Sequence, residues 1–124
     1  MINKHHGFTL MELMITVAIL AVISAIAVPA YNGYIATARK TEGHNNLAAL
    51  AIAEEEYFLE NNEYFYGADK DALATASGNL WEATRSDGVF NFAYAVSGTS
   101  GNYTATATGT GGKVPTSVVL TISK

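Results

Sequence analysis

Three successive patterns of apolar and polar positions run along the chain. From Phe8 to Val28, twenty-one residues carry a single charge, Glu12. As an α-helix, that run crosses a hydrocarbon layer of about 30 Å at roughly 1.5 Å per residue. Lys4 and the chain amine precede it, a bias that places the N-terminus on the cytoplasmic side. Glu12 stands out. A carboxylate inside a membrane helix is costly and usually partnered, which makes it a functional candidate; the plainer alternative is an acid near the membrane interface, where the cost is small.

Helical spacing continues from Ala30 to about Leu59. Tyr31, Tyr34, Ala38, Ala48, Ile52 and Leu59 form an apolar stripe that Leu47, Leu50 and Phe58 widen. Arg39, Lys40, Glu42, Glu54, Glu55 and Glu60 supply a polar face. Pro29 removes one backbone bond and kinks what precedes it, Gly33 is a poor helix former, and Gly43-His44-Asn45-Asn46 is a second soft spot. A helix from Phe8 to Leu59 is on the order of 78 Å long. No domain of this size covers all of it, so its first half must lie in lipid or among neighbouring copies.

Residues 61–88 form an irregular connection. Asn61-Asn62 ends the helix, Tyr64-Phe65-Tyr66 is an aromatic anchor, Asp69 or Asp71 caps a short helix reaching Ala76, and Trp81 plugs the core. From Val89 the period becomes two. Phe90, Phe92, Tyr94 and Val96 alternate with smaller or polar residues, then Tyr103 to Thr108 alternate, then Val118, Leu120 and Ile122. Glycine-rich turns join these runs into an antiparallel meander, with an apolar face on the helix and threonines opposite. The fold class is α+β: a long N-terminal helix packed on a C-terminal antiparallel sheet of three or four strands.

Composition changes this picture little. Beyond the leader and span about 96 residues remain, enough for one domain with a modest core. The formal charge of −4, with seven scattered basic residues, argues against a nucleic-acid surface. No cysteine is present, so packing and lateral assembly must hold the fold. Catalysis finds little support: His5 and His6 lie in the leader, His44 stands alone, and no serine sits in a G-x-S-x-G elbow. Asp69 and Asp71 suit calcium in type, but two acids across a lysine are the ordinary start of a helix, and no metal or other cofactor is assigned. Asn102-Tyr103-Thr104 matches a glycosylation acceptor, with a turn asparagine as the simpler reading.

The residue order at the start of the span is more specific. Gly7-Phe8-Thr9-Leu10-Met11-Glu12-Leu13, between a basic leader and an apolar run, resembles the class III signal of type IV prepilins and of the related type II secretion pseudopilins. The close match covers residues 4–31. The resemblance implies removal of a leader, residues 1–7, by a membrane peptidase that cuts between Gly7 and Phe8 and N-methylates Phe8. It implies that residues 8–29 form the transmembrane and polymerisation helix, with Pro29 at a helix-bending position. Residues 30–124 then form a globular head: helix to about 60, variable connection 61–88, sheet 89–124. The absence of cysteine departs from many type IV pilins, which close a C-terminal loop with a disulfide. The aromatic series Phe8, Tyr31, Tyr34, Tyr57, Phe58, Tyr64 and Phe65 resembles that of short pilins proposed to carry electrons, but ordinary packing explains it equally.

In that family the acid neutralises the amine of a neighbouring subunit. Elementary electrostatics gives the same pairing of groups, because an amine and a carboxylate are tolerable in a dry bundle only together. Glu12 lies one helical turn from Phe8, so pairing within one chain and between chains both remain open. The function expected is a structural, non-enzymatic subunit of a pilus, stored in the inner membrane and then assembled into an extracellular filament. Its implied partners are other copies of itself, a prepilin peptidase and methyltransferase, an inner-membrane platform and a cytoplasmic ATPase. The alternatives are a minor pilin or pseudopilin and, from another class, a secreted binding module cut after Ala27 in the small-x-small sequence Ala25-Ile26-Ala27.

Overall fold

A computed structural model of the chain describes residues 7–85 and 88–124. Lys4, His5 and His6 of the leader lie outside the described residues, as do 86 and 87. The chain divides into two units, the first ending at Ile35 and the second spanning Ala36–Lys124. Helix α1, Leu10–Asn61, supplies residues to both. It begins two residues later than the apolar run suggests, and it continues through Pro29, Gly33 and the expected soft spot at Gly43–Asn46. In the first unit every residue from Gly7 to Tyr34 is exposed.

The end of α1 falls where the sequence places it. Asn62 adopts φ 58°, the left-handed conformation that asparagine tolerates, and its N–H donates to the Phe58 carbonyl at 2.8 Å. Helix α2, Lys70–Ala76, follows, with Asp69 as its N-cap. The sheet has three antiparallel strands, β1 (Phe92–Thr99), β2 (Asn102–Gly109) and β3 (Val119–Ser123), in the order β1-β2-β3. Thr99 pairs with Asn102, which leaves Ser100-Gly101 as a two-residue hairpin. Strand β1 starts at Phe92 rather than Val89; Asn91 is buried like Phe92, so the alternation of faces breaks there. Strand β3 starts one residue later than Val118.

Alternation along the strands sorts the core as expected. Phe92, Tyr94 and Val96 of β1 and Tyr103, Ala105 and Ala107 of β2 are buried, while Thr104, Thr106 and Thr108 lie on the less covered face. The helix does not follow its expectation. Ala48, Ile52 and Leu59 of the expected stripe face outward, with Ile52 69% and Leu59 86% exposed. The inward positions of this part of α1 are Glu42, Gly43, Asn46, Leu47, Leu50, Ala53 and Glu54. Two acids assigned to the polar face are therefore buried, Glu42 beside the Asn91 amide at 3.3 Å and Glu54 against the Phe65 N–H at 3.1 Å. Close approach explains Gly43. A Cβ there would lie 2.7 Å from Leu120 Cδ1 and 2.9 Å from Phe92 Cε2, so glycine lets the helix sit directly on the sheet.

Asn46 ties the connection to the helix. Its Nδ2 donates to the Thr84 carbonyl (2.8 Å) and to Tyr94 Oη (2.7 Å), and its Oδ1 accepts from the Thr84 N–H (3.0 Å) and hydroxyl (2.8 Å). Its backbone carbonyl accepts from Trp81 Nε1 at 3.1 Å. Trp81, with the buried Tyr64, Phe65 and Leu73, makes the connection part of the core. Replacing Asn46 by alanine strands the buried Tyr94 hydroxyl and releases the backbone of the exposed Thr84 to water. The expected cost is about 1–3 kcal/mol in denaturant unfolding of the detergent-solubilised chain, against about 0.5 kcal/mol or less for the exposed neighbour Asn45→Ala. Equal losses from the two variants would contradict the assignment.

Candidate functional site

The site foreseen in the sequence is the start of α1. Gly7, Phe8 and Thr9 precede the helix, and Phe8 is 90% exposed. Thr9 and Glu12 bond reciprocally. The Thr9 N–H and hydroxyl both donate to Glu12 Oε2, at 2.9 and 3.0 Å, and the Glu12 N–H donates to Thr9 Oγ1 at 3.2 Å. This is a capping box, in which the N-cap hydroxyl and the acid three residues on satisfy each other's backbone donors. The Leu13 N–H closes the first turn on the Thr9 carbonyl at 3.2 Å.

Sequence reasoning weighed Phe8 and Glu12 and passed over Thr9. The signal was present, since [ST]-x-x-[DE] before an apolar run is a helix-start signature and Thr9-Leu10-Met11-Glu12 spells it. Geometry therefore gives Glu12 a use within its own chain: it holds the first turn, at the positive end of the helix dipole. Pro29 belongs to a separate place, seventeen residues farther along α1, roughly 26 Å at 1.5 Å per residue.

The other candidates resolve into local roles. Asp69 Oδ1 accepts the N–H groups of Asp71 and Ala72 at 3.0 and 2.8 Å, and Asp71 pairs with Lys70 Nζ at 2.5 Å. Among the described residues no cluster of three His, Cys, Asp or Glu side chains could hold a metal. His44 is exposed on α1. Asn102 is exposed at the hairpin, where its Oδ1 accepts from the Thr99 hydroxyl at 2.5 Å. In the second unit the aromatics pack as core: Phe58 stacks on Tyr64 at 4.7 Å, Tyr64 meets Tyr103 at 4.9 Å, and Tyr57 meets Phe65 edge-on at 5.5 Å.

Two family models match the chain. One, described as the prokaryotic N-terminal methylation motif, covers residues 2–28. The other, described as type IV minor pilin ComP, DNA uptake sequence receptor, covers residues 29–117. Among similar proteins, the type IV major pilin protein PilA of Myxococcus xanthus (strain DK1622) is 37% identical over 78 residues, 63% of this chain and 36% of that protein. The fimbrial protein EcpC of Eikenella corrodens is 35% identical over 108 residues, 85% of this chain and 64% of that protein. The type IV major fimbrial protein FimA of Dichelobacter nodosus is 35% identical over 104 residues, 77% of this chain and 67% of that protein. The matched region thus spans from about one third to two thirds of these relatives' length.

The capping box makes a separable prediction. Thr9→Val keeps the shape and removes the hydroxyl, so the first turn of α1 should lose about 1 kcal/mol, whereas Thr9→Ser should retain it. Amide exchange at Glu12 and Leu13 in micelles reads this directly. Unchanged protection in Thr9→Val would show that the reciprocal bonds do not hold the turn.

Proposed function

The chain belongs to the type IV pilin family, and from that premise we propose that it is a structural subunit of a type IV pilus filament on the bacterial surface. The precursor is stored in the inner membrane as a single-pass protein with its N-terminus in the cytoplasm. A prepilin peptidase cuts between Gly7 and Phe8 and methylates the new Phe8 amine. An inner-membrane platform and a cytoplasmic ATPase then polymerise it through residues 8–29, with residues 30–124 as the head. Pro29 bends the helix at the end of that span, and the subunit performs no catalysis.

One observation carries this reading: every residue from Gly7 to Tyr34 is exposed, although most of them are apolar. Such a surface requires lipid or neighbouring copies. In a filament Phe8 brings an amine into an apolar bundle, and Glu12 is the acid of the span able to neutralise it. The carboxylate that caps its own helix in the stored subunit thus acquires a second partner on assembly. A secreted module cut after Ala27 would discard the residues that the methylation-motif model matches.

The model matching residues 29–117 supports a second reading, a minor pilin that contacts DNA. The second unit holds six Lys or Arg against ten Asp or Glu, so any such surface must be local. Its candidate cations are Arg85 and the Asp71-paired Lys70, 5.4 and 5.0 Å from the Phe90 ring centroid. A pseudopilin would share the N-terminal chemistry.

Processing should leave a chain that begins at N-methylated Phe8, as read by intact mass; a start at Val28 would favour the secreted module. Removing one member of a buried ion pair costs about 3–5 kcal/mol. Glu12→Ala should therefore abolish or sharply reduce filaments in sheared surface material while processed subunit still accumulates in membranes. Normal filament yield from that variant would sink the pairing. Abundant filaments built of this chain are expected by electron microscopy; trace incorporation with salt-sensitive DNA retention would favour the minor pilin.

A further inference from the structure

Glu54 is a carboxylate with no exposed surface. Its Oε2 accepts the Phe65 N–H at 3.1 Å, and among the described residues its Oε1 has no hydrogen-bond partner. A buried carboxylate ordinarily gathers several donors or a cation. Here the cation is taken: Lys124 Nζ lies 2.7 Å from Glu55 Oε2. The same Glu55, next along α1, also accepts from Tyr64 Oη at 3.4 Å. Among the described residues, the other ionisable groups around it are Tyr57 on α1, edge-on to Phe65, Glu63, Tyr64 and Tyr66 after the helix and Tyr103 on β2, and none supplies a positive charge.

What covers Glu54 is a strap, residues 62–67. Tyr64 and Phe65 insert from it into the core. Its far end is pinned to β1, where Gly67 and Val96 exchange two backbone bonds at 3.3 and 2.8 Å and the Tyr66 hydroxyl donates to the Thr99 carbonyl. Phe65 is thus held by ring contacts on one side and by the Glu54 carboxyl on its backbone. We propose that Glu54 and this strap form a pH-operated latch, in which the neutral carboxyl stays shut in beneath Phe65 and the ionised carboxylate drives the strap open to reach water. The latch is independent of the filament reading, since it acts within one head.

Burial, partly offset by the Phe65 N–H and reinforced by Glu55, pushes the carboxyl from 4.5 up to about 7. The sign follows from where ionisation occurs. Below about pH 4.5 the group is protonated whether the strap is shut or open, so pH has no effect. Between about 4.5 and 7 it ionises only where water reaches it, and each rise in pH favours the open strap. Above about 7 it is ionised in both states and the dependence levels off. The shut strap is therefore most stable in acid, the reverse of a carboxylate held by a salt bridge.

Amide exchange of Phe65 in the full chain in detergent micelles tests the latch, with each rate divided by the unstructured-chain rate at the same pH. Protection should fall by tens of fold between pH 5 and 8, within a ceiling of about 300-fold set by the displacement from 4.5 to about 7. Glu54→Gln, neutral and of the same shape, should make it flat, while Glu55→Gln should keep the fall. The Glu54 carboxyl carbon, followed by NMR in the unmodified chain, should titrate at about pH 7, where the fall in protection levels off. A Glu54 carboxyl titration in the ordinary carboxylate range, flat protection in the unmodified chain, or a fall that persists in Glu54→Gln would each overturn the proposal. Should Glu54→Gln fail to fold, the two measurements on the unmodified chain still decide, because the latch requires protection to level off where the Glu54 carboxyl titrates.

Discussion

Asn46 is the point on which the second unit turns. An irregular connection between a helix and a sheet has no ladder of its own to fix its path, and its backbone groups must find partners one by one. Asn46 supplies them from the helix, taking both the N–H and the carbonyl of Thr84 while its other contacts hold Tyr94 and Trp81. Buried networks of this kind are stabilising only when every member is satisfied. This one meets that condition with four side-chain bonds to three groups of Thr84 and one of Tyr94. The connection, Trp81 and β1 are thereby set in register against one turn of α1, and the aromatic core closes around that turn.

Much of the fold was legible because it rests on local patterns. The apolar run, the asparagines that end α1, the Asp69 cap, the alternation of three strands and the hairpin turn are each written within a few consecutive residues. The inward face of the second half of α1 was not. Hydrophobicity pointed to Ala48, Ile52 and Leu59 as well as to Leu47 and Leu50, whereas the inward face keeps only the two leucines of that set and adds Glu42, Gly43, Asn46, Ala53 and Glu54. The value of Gly43 is the side chain it lacks, visible only from Leu120 and Phe92. The partners that make Asn46 buriable lie 38 and 48 residues away, at Thr84 and Tyr94. Polar residues inside a fold cannot be recognised from their own neighbourhood when the groups that satisfy them arrive from another element.

The start of α1 shows the same limit at short range. Gly7, Phe8 and Glu12 were legible from residue order, and the cost of a charge in lipid directed attention to a partner of opposite sign. The described chain gives Glu12 dipolar partners instead, the N–H and hydroxyl of Thr9. The two answers are compatible. A capping carboxylate beside the positive end of a helix needs no counter-ion while it remains near the membrane surface. It can accept an amine later without leaving its helix, because a carboxylate has more acceptor sites than Thr9 occupies.

The exposure of the first unit constrains how such a helix could leave the membrane. From Phe8 to Val28 its large apolar side chains are 50–90% exposed, so the solvent for this segment must come from outside the chain. Lipid supplies one such solvent, and a bundle of identical helices supplies another. Lipid tails are as apolar as leucine, so moving the helix from one to the other gains almost nothing from the hydrophobic effect. The balance must then rest on close packing and on polar pairs. The span provides for both, with Ala18, Ala21, Ala25 and Ala27 small enough to let helices approach and Glu12 as its single charge. An apolar helix that carries one acid is poised between two solvents of similar apolarity, and the acid is the group whose energy differs most between them.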